Sequence, residues 1–220
     1  MIFIYNLNKI KIRLVRTSNM KTTFDVLSGQ LHIGDPVHKR STVDAKFFRP
    51  KAKNGRWICR VEVDEKVFGV SINKLIAEYS ESESEAAGLI DANDAYHKAM
   101  SMICGKAPNE LKNESATINA ESSMAGIFDY KSYRDDKIVS KVERISDRIV
   151  CEEEPWYSIC CDRVLSEDKW GTIPQGCVSS AKDGIINVTA HFNMFGEAER
   201  IEIDFEKKNE IAETEELDVF

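Results

Sequence analysis

The sequence predicts an α+β fold: a single β-rich domain, its sheet mainly antiparallel or mixed and sandwich-like, with two inserted helices. Three observations predict it. Apolar residues recur at every second position in several short runs, the period of half-buried strands. Only two segments carry the ~3.6-residue period of an amphipathic helix. No strand–helix–strand alternation runs along the chain, which favours an antiparallel or mixed sheet, and no repeat of about 20–50 residues supports a solenoid or a propeller.

In chain order, residues 1–19 read as an edge strand from Asn8 to Val15, or as a disordered extension ahead of a start at Met20. The domain proper spans 20–205. Trp57, Cys59, Val61 and Val63 alternate with Ile58, Arg60 and Glu62; Asp64-Glu65 is read as a two-residue break, and Val67 to Ile72 as the return strand of a hairpin. Lys74 to Tyr79 is a third strand or the start of a helix, and Ser80 to Glu85 an exposed acidic loop. Asp91 to Cys104 is the clearest helix, with Asp91 as cap and Gly105 and Pro108 closing it. Pro108 to Ser115 is read as loop, Ala116 to Ala120 as strand, and Tyr133 to Val150 as the second helix, on Ile138, Val142, Ile145 and Ile149. Strands are expected over Trp156–Leu165, Gly176–Ser180, Gly184–Phe192 and Ala198–Phe205, the last closing the sheet. Residues 206–220 form an acidic tail expected to fray.

The composition is that of an ordinary globular chain, 42% hydrophobic and 30% charged, which excludes the disordered and collagen-like classes. The apolar opening Met1–Leu7 is short, lacks a cleavage site and is followed rather than preceded by basic residues, so a cytoplasmic protein is expected. Six cysteines (Cys59, Cys104, Cys151, Cys160, Cys161 and Cys177) form no C-x-x-C pair and read as reduced structural thiols. The net charge of −7 conceals a lengthwise asymmetry: residues 1–60 carry a balance of +10 and residues 61–220 one of −17. Such segregation marks a basic face for phosphate and an acidic face for a basic partner, unless the halves interleave on folding.

Four clusters could carry chemistry. His32, Asp35 and His38, with His191 on a late strand, supply the imidazole and carboxylate groups that bind a divalent metal, although Asp35-Pro36 after Gly34 also reads as a turn. Glu121, Ser122, Ser123, Gly126 and Asp129 read as a polar pocket wall, or as a bulged strand followed by a capped helix. Ser179, Ser180, Asp183 and Gly184 read as a hairpin turn that would sit beside that wall. Lys39, Arg40, Lys46, Arg49, Lys51, Lys53 and Arg56 are interleaved with Phe47, Phe48 and Trp57, a mixture suited to nucleotide or nucleic acid, or to a solvated loop with two buried rings. A nucleophilic serine would need a base, and neither G-x-S-x-G, Walker A nor G-x-G-x-x-G occurs.

In the order Ser28-Gly29, Asp35-Pro36, Gly55-Arg56-Trp57, Glu121-Ser122-Ser123 with Gly126 and Asp129, Trp156-Tyr157, and Ser179-Ser180 with Asp183-Gly184, the chain resembles an uncharacterised bacterial domain family. The resemblance covers roughly residues 24–205. It departs from the family pattern where Glu121 stands for Asp, Ser123 for Gly, and where the late turn lacks glycines. It implies a fold more than a function.

Three functions follow as expectations. The favoured one is a non-enzymatic binding or inhibitory protein of the immunity, anti-defence or effector-like kind, acting on a protein partner with no cofactor. The second is a small metal-assisted hydrolase drawing on Asp35, Glu121, Ser122, Asp129 and Asp183 with the histidines. The third is a nucleotide or nucleic-acid binder using Lys39, Arg40, Arg49, Lys51, Lys53 and Arg56.

Overall fold

The alternating runs pair into two antiparallel sheets that face one another. The structure, a computed structural model, describes residues 15–17, 21–43, 45–66, 69–89, 112–139 and 154–206. Their strands are β1 (Val15–Thr17), β2 (Thr22–Val26), β3 (Leu31–Gly34), β4 (Gly55–Lys66), β5 (Gly69–Tyr79), β6 (Lys112–Ala120), β7 (Met124–Asp129), β8 (Trp170–Ile173), β9 (Gly176–Ser180), β10 (Gly184–Phe192) and β11 (Ala198–Asp204). The helices are α1 (Glu81–Ala86), α2 (Asp136–Val139) and α3 (Pro155–Val164). None of the described helices is long and apolar enough to cross a membrane.

The large sheet runs β1-β4-β5-β11-β10-β6, with β2 sharing the β4 edge with β1. The small sheet runs β3-β7-β9-β8. Between them lies an apolar core: Phe24, Trp57, Cys59, Val61, Leu75, Ile118, Val188, Ile201 and Ile203 from the large sheet meet Leu31, Ile33, Ala125, Ile127, Trp170 and Cys177 from the small one. A second cluster covers the outer face of the small sheet, where Met124, Phe128, Ile173 and Val178 meet Tyr133 and the α3 residues Trp156, Ile159, Cys160 and Cys161. β7 is therefore buried on both faces, and every one of its residues is buried. The Phe128 ring folds back over Gly126 and Gly176, where a Cβ would lie only 2.3 and 2.5 Å from ring atoms. The segment 48–53 stitches the layers, bonding to β3 through Ile33 and Phe48 and to β11 through Lys51 and Ala198.

Several sequence readings are corrected. Asp64-Glu65 is no break: β4 and β5 continue to a Lys66–Gly69 closure, because Asp64 and Glu65 keep ladder partners in Ser71 and Val70. Lys74–Tyr79 is strand, the second half of β5. The acidic loop at 80–85 is helix α1, capped by the Ser80 hydroxyl, which accepts from the Glu83 amide at 3.4 Å; Glu81 and Glu83 suit the positive end of the helix. Strand β6 begins at Lys112, inside the expected loop, because β10 supplies a partner along its whole length. The expected strand at 156–165 is helix α3. Pro155 opens it, and the buried Trp156, Ile159, Cys160 and Arg163 fall at helical spacing. The Asp183-Gly184 turn is no hairpin, since β9 and β10 belong to different sheets and the turn is a corner between layers. β11 lies inside the large sheet and not at its edge. No helix follows the turn at 121–123; β7 does. Within the expected helix 133–150, Tyr133 and Arg134 lie in a turn before α2, and residues 140–150 are outside the described set, as are Asn8 to Leu14 and the expected helix Asp91–Cys104.

Candidate functional site

The polar clusters named in the sequence gather at the ends of the β3–β7 pair. In that pair Leu31 stands opposite Asp129 and Gly34 opposite Gly126. Asp35 follows β3 directly and Asp129 ends β7; both are fully buried. Each carboxylate grips the turn that feeds the other's strand. Asp35 Oδ2 accepts the Glu121 and Ser122 amides of the β6–β7 turn, both at 2.7 Å. Its Oδ1 accepts the Val37 amide at 2.9 Å and the Ser122 hydroxyl at 2.5 Å. Asp129 Oδ1 accepts the Leu27 and Ser28 amides of the β2–β3 turn at 3.0 and 2.8 Å. Its Oδ2 accepts the Ser132 amide at 3.2 Å and hydroxyl at 3.0 Å. A buried carboxylate survives only where donors replace its hydration, and each of these has four.

The β6–β7 turn is also held from its other side. Ser123, at φ +57°, donates its amide and hydroxyl to Asp183 Oδ1 at 2.9 and 2.8 Å. Asp35, Glu121, Ser122 and Asp183 therefore converge on one turn. His38 joins them, its Nε2 lying 3.5 Å from the Glu121 carboxylate. So does Tyr157 of α3, hydrogen-bonded to Ser122 and Cys161; burial, the adjacent Cys161 thiol and the Asp35 charge push its phenol up to about 12. Asp129 sits at the opposite end of β7, five residues on from Met124, or roughly 17 Å at ~3.3 Å per residue.

His32 and His191 lie elsewhere. His32 points to the outer face of the small sheet, fully buried, stacked on Tyr133 at 3.9 Å between ring centroids and beside Phe47 at 4.4 Å. Burial first, then the Arg49 and Arg40 charges, push its pKa down to about 3, so it is neutral at physiological pH. Its Nδ1 accepts from Arg49 Nε at 3.2 Å, which places the ring hydrogen on Nε2, a buried atom without a hydrogen-bond partner among the described residues. His191 is on the outer face of the large sheet, 3.6 Å from Glu202. Among the described residues no three His, Cys, Asp or Glu side chains are placed to hold one metal ion.

The basic stretch divides by role. Arg40 donates to the Lys131 and Tyr133 carbonyls, both at 2.8 Å, and its guanidinium lies over Tyr130. Arg49 bonds His32 and the Arg40 carbonyl and lies over Phe47. Arg56 is paired with Asp25 at 2.8 Å, and that hydrogen-bonded partner raises its already high pKa. Lys53 sits over the Tyr79 ring and 3.6 Å from Glu199. Lys51 and Lys46 are exposed, and Lys39 stands at the rim of an open recess of about 440 Å³ lined also by Arg40, Tyr133, Arg134, Asp136 and Glu154.

Sequence reasoning missed Tyr133 and Arg134 as positioning residues. The buried Tyr133 hydroxyl donates to the His38 carbonyl at 2.6 Å, and Arg134 Nη1 donates to the Pro36 and Val37 carbonyls at 2.8 and 2.7 Å. Together they hold the loop that carries Asp35 and His38. The available signal was an aromatic–arginine pair four residues past Asp129, read instead as the start of a helix. Comparison with models of known families, with curated proteins and with solved structures finds no match.

Proposed function

We propose that this protein works by binding a protein partner, in the manner of an inhibitor, and not by chemistry on a small substrate. One observation carries the reading: among the carboxylates that the sequence marks for chemistry, Asp35 and Asp129 are spent on both oxygens, on backbone amides and serine hydroxyls that hold turns, and Asp183 gives one oxygen to the same task. A carboxylate saturated with donors is a poor base and a poor ligand. What remains outward is a different kind of surface. Among the described strands β6 forms one end of the large sheet, and its first four residues, Lys112 to Ser115, are exposed. A strand edge of this kind accepts an extended segment from another chain through main-chain hydrogen bonds. The −17 balance of residues 61–220 favours a basic partner.

The test is affinity capture of the full chain from cells of its native source, beside the variant Asn113→Lys with Ser115→Lys, which places edge-blocking cations at exposed positions. Recovery of one stoichiometric partner by the parent and its loss in the variant support the reading. A chain that stays alone under all conditions, or a partner held equally by both, counts against it.

A second reading has one observation in its favour: Ser122, Glu121 and His38 share the turn with Asp35. A hydrolase there would lose all turnover in Ser122→Ala while keeping its fold.

A further inference from the structure

Cys59 lies mid-strand in β4 of the large sheet and Cys177 in β9 of the small one, and both are fully buried in the core between them. Both are free thiols, and they are neighbours across the sandwich. The neighbouring register shows the same approach independently. Thr22 is the cross-strand partner of Cys59, Thr172 is the partner of Cys177, and the two threonine hydroxyls meet at 2.7 Å. Threonine is short, so this contact forms only where the sheets come much nearer than the ~10 Å of ordinary sheet packing. Two adjacent pairs of small side chains thus bring the layers toward the close separation that a disulfide between strands requires.

Among the described cysteines, competing pairings are separated by the fold. Cys160 and Cys161 belong to the cluster on the far side of the small sheet, beneath α3, whereas Cys177 faces the inter-sheet core. Among the described cysteines, Cys59 and Cys177 are the cross-sheet pair in contact. In the closed sandwich both are shielded from solvent, and burial, with the second thiol beside it, raises Cys59 well above the ordinary thiol range. The reaction therefore belongs to folding or to transient opening of the layers, not to the closed state.

We propose that Cys59 and Cys177 form an inter-sheet disulfide when the chain folds in the presence of a small-molecule disulfide such as oxidised glutathione. One thiolate, having lost its proton, attacks the oxidant, forms a mixed disulfide and releases one glutathione thiolate. The second cysteine thiolate then displaces the other glutathione, forming the Cys59–Cys177 bond. Two protein thiols are oxidised, the glutathione disulfide is reduced to two thiols, and the two protons pass to the departing thiolates. The bond closes a loop of more than a hundred residues and ties the sheet that carries β6 to the sheet that carries Asp35.

The experiment refolds the full-length chain from denaturant in a glutathione redox buffer, blocks free thiols and maps linked peptides. The chain secreted into an oxidising compartment is mapped in parallel, so the result does not depend on refolding yield. The expected result is a Cys59–Cys177 linked peptide, four alkylated cysteines instead of six, and a melting temperature that falls by about 5 °C or more on adding reductant. Cys177→Ala should abolish the linked peptide and the reductant effect together. Six alkylated cysteines in both preparations, or linkage of Cys59 or Cys177 to a different cysteine, would overturn the proposal.

Discussion

The two sheets use charge in opposite ways. On the outer face of the large sheet, Arg60, Lys74 and Arg200 meet Glu78 and Glu202 in a cross-strand ladder that remains in partial contact with water. At the ends and outer face of the small sheet, Asp35, Asp129, Arg40, Arg49 and Arg134 bond mainly to backbone amides and carbonyls, and the two aspartates are wholly buried. Ion pairs on the first face exchange readily with solvent and are screened by salt. The two aspartates on the second have given up hydration for fixed dipoles, so removing one strands several buried groups at once. A cation or carboxylate picked out from sequence can therefore be a surface charge or an internal strut, and its backbone partners decide which.

The contrast is broken most sharply at the struts. Asp35→Ala and Asp129→Ala should each lower unfolding free energy by about 3–4 kcal/mol, because each leaves several buried donors unpaired; urea denaturation measures it. A loss below about 1 kcal/mol at either position would place that aspartate with the surface charges.

The next effect is one of pH. The folded pKa of His32 lies at about 3, below its unfolded value of 6.5. The unfolded chain therefore takes up a proton first as pH falls, and stability present above 6.5 is lost on acidification, by about 1.4 kcal/mol per pH unit. Glu78 and Glu202 add to the loss only lower, through the carboxylate range. Partial burial works to raise them, but the hydrogen-bonded guanidiniums of Arg60 and Arg200 respectively hold them below their usual values. Between pH 6.5 and 5 the slope should flatten in His32→Gln, measured as urea midpoints across that window. An unchanged slope would detach it from His32.

A smaller effect is expected at Tyr133→Phe, which removes the hydroxyl bond to the His38 carbonyl but keeps the ring stacked on His32. The expected cost is about 1 kcal/mol in thermal or urea unfolding. The smallest is Glu78→Gln on the large-sheet ladder. It should cost less than about 1 kcal/mol in low salt and nearly nothing in ~1 M salt.

Legibility in the sequence follows the same division. Strands β10 and β11 were readable because one face of each meets the core, so Ile186, Val188, Ile201 and Ile203 alternate cleanly. Helix α3 was not, because its buried side includes Ser158, Asp162 and Arg163, and a polar inner face erases the apolar stripe that identifies a helix. Strand β6 was half hidden for the converse reason: its exposed first half carries no apolar residue to alternate, and only the pairing with β10 shows it is a strand. The aspartates were visible as turn-formers near serines and glycines. That Asp35 grips a turn 86 residues away, and Asp129 one 101 residues back, is a consequence of β3–β7 pairing that no local pattern encodes. The basic stretch was misleading because charge alone does not reveal a carbonyl waiting at Lys131 or Tyr133.

Native-state hydrogen exchange, read amide by amide, tests the strut assignment most directly. The Glu121 and Ser122 amides, bound by Asp35, and the Leu27 and Ser28 amides, bound by Asp129, should be protected to the same degree as those of β7, although Leu27 itself is 52% exposed. Exchange of these four amides at the rate of an open surface loop, while β7 stays protected, would contradict the account.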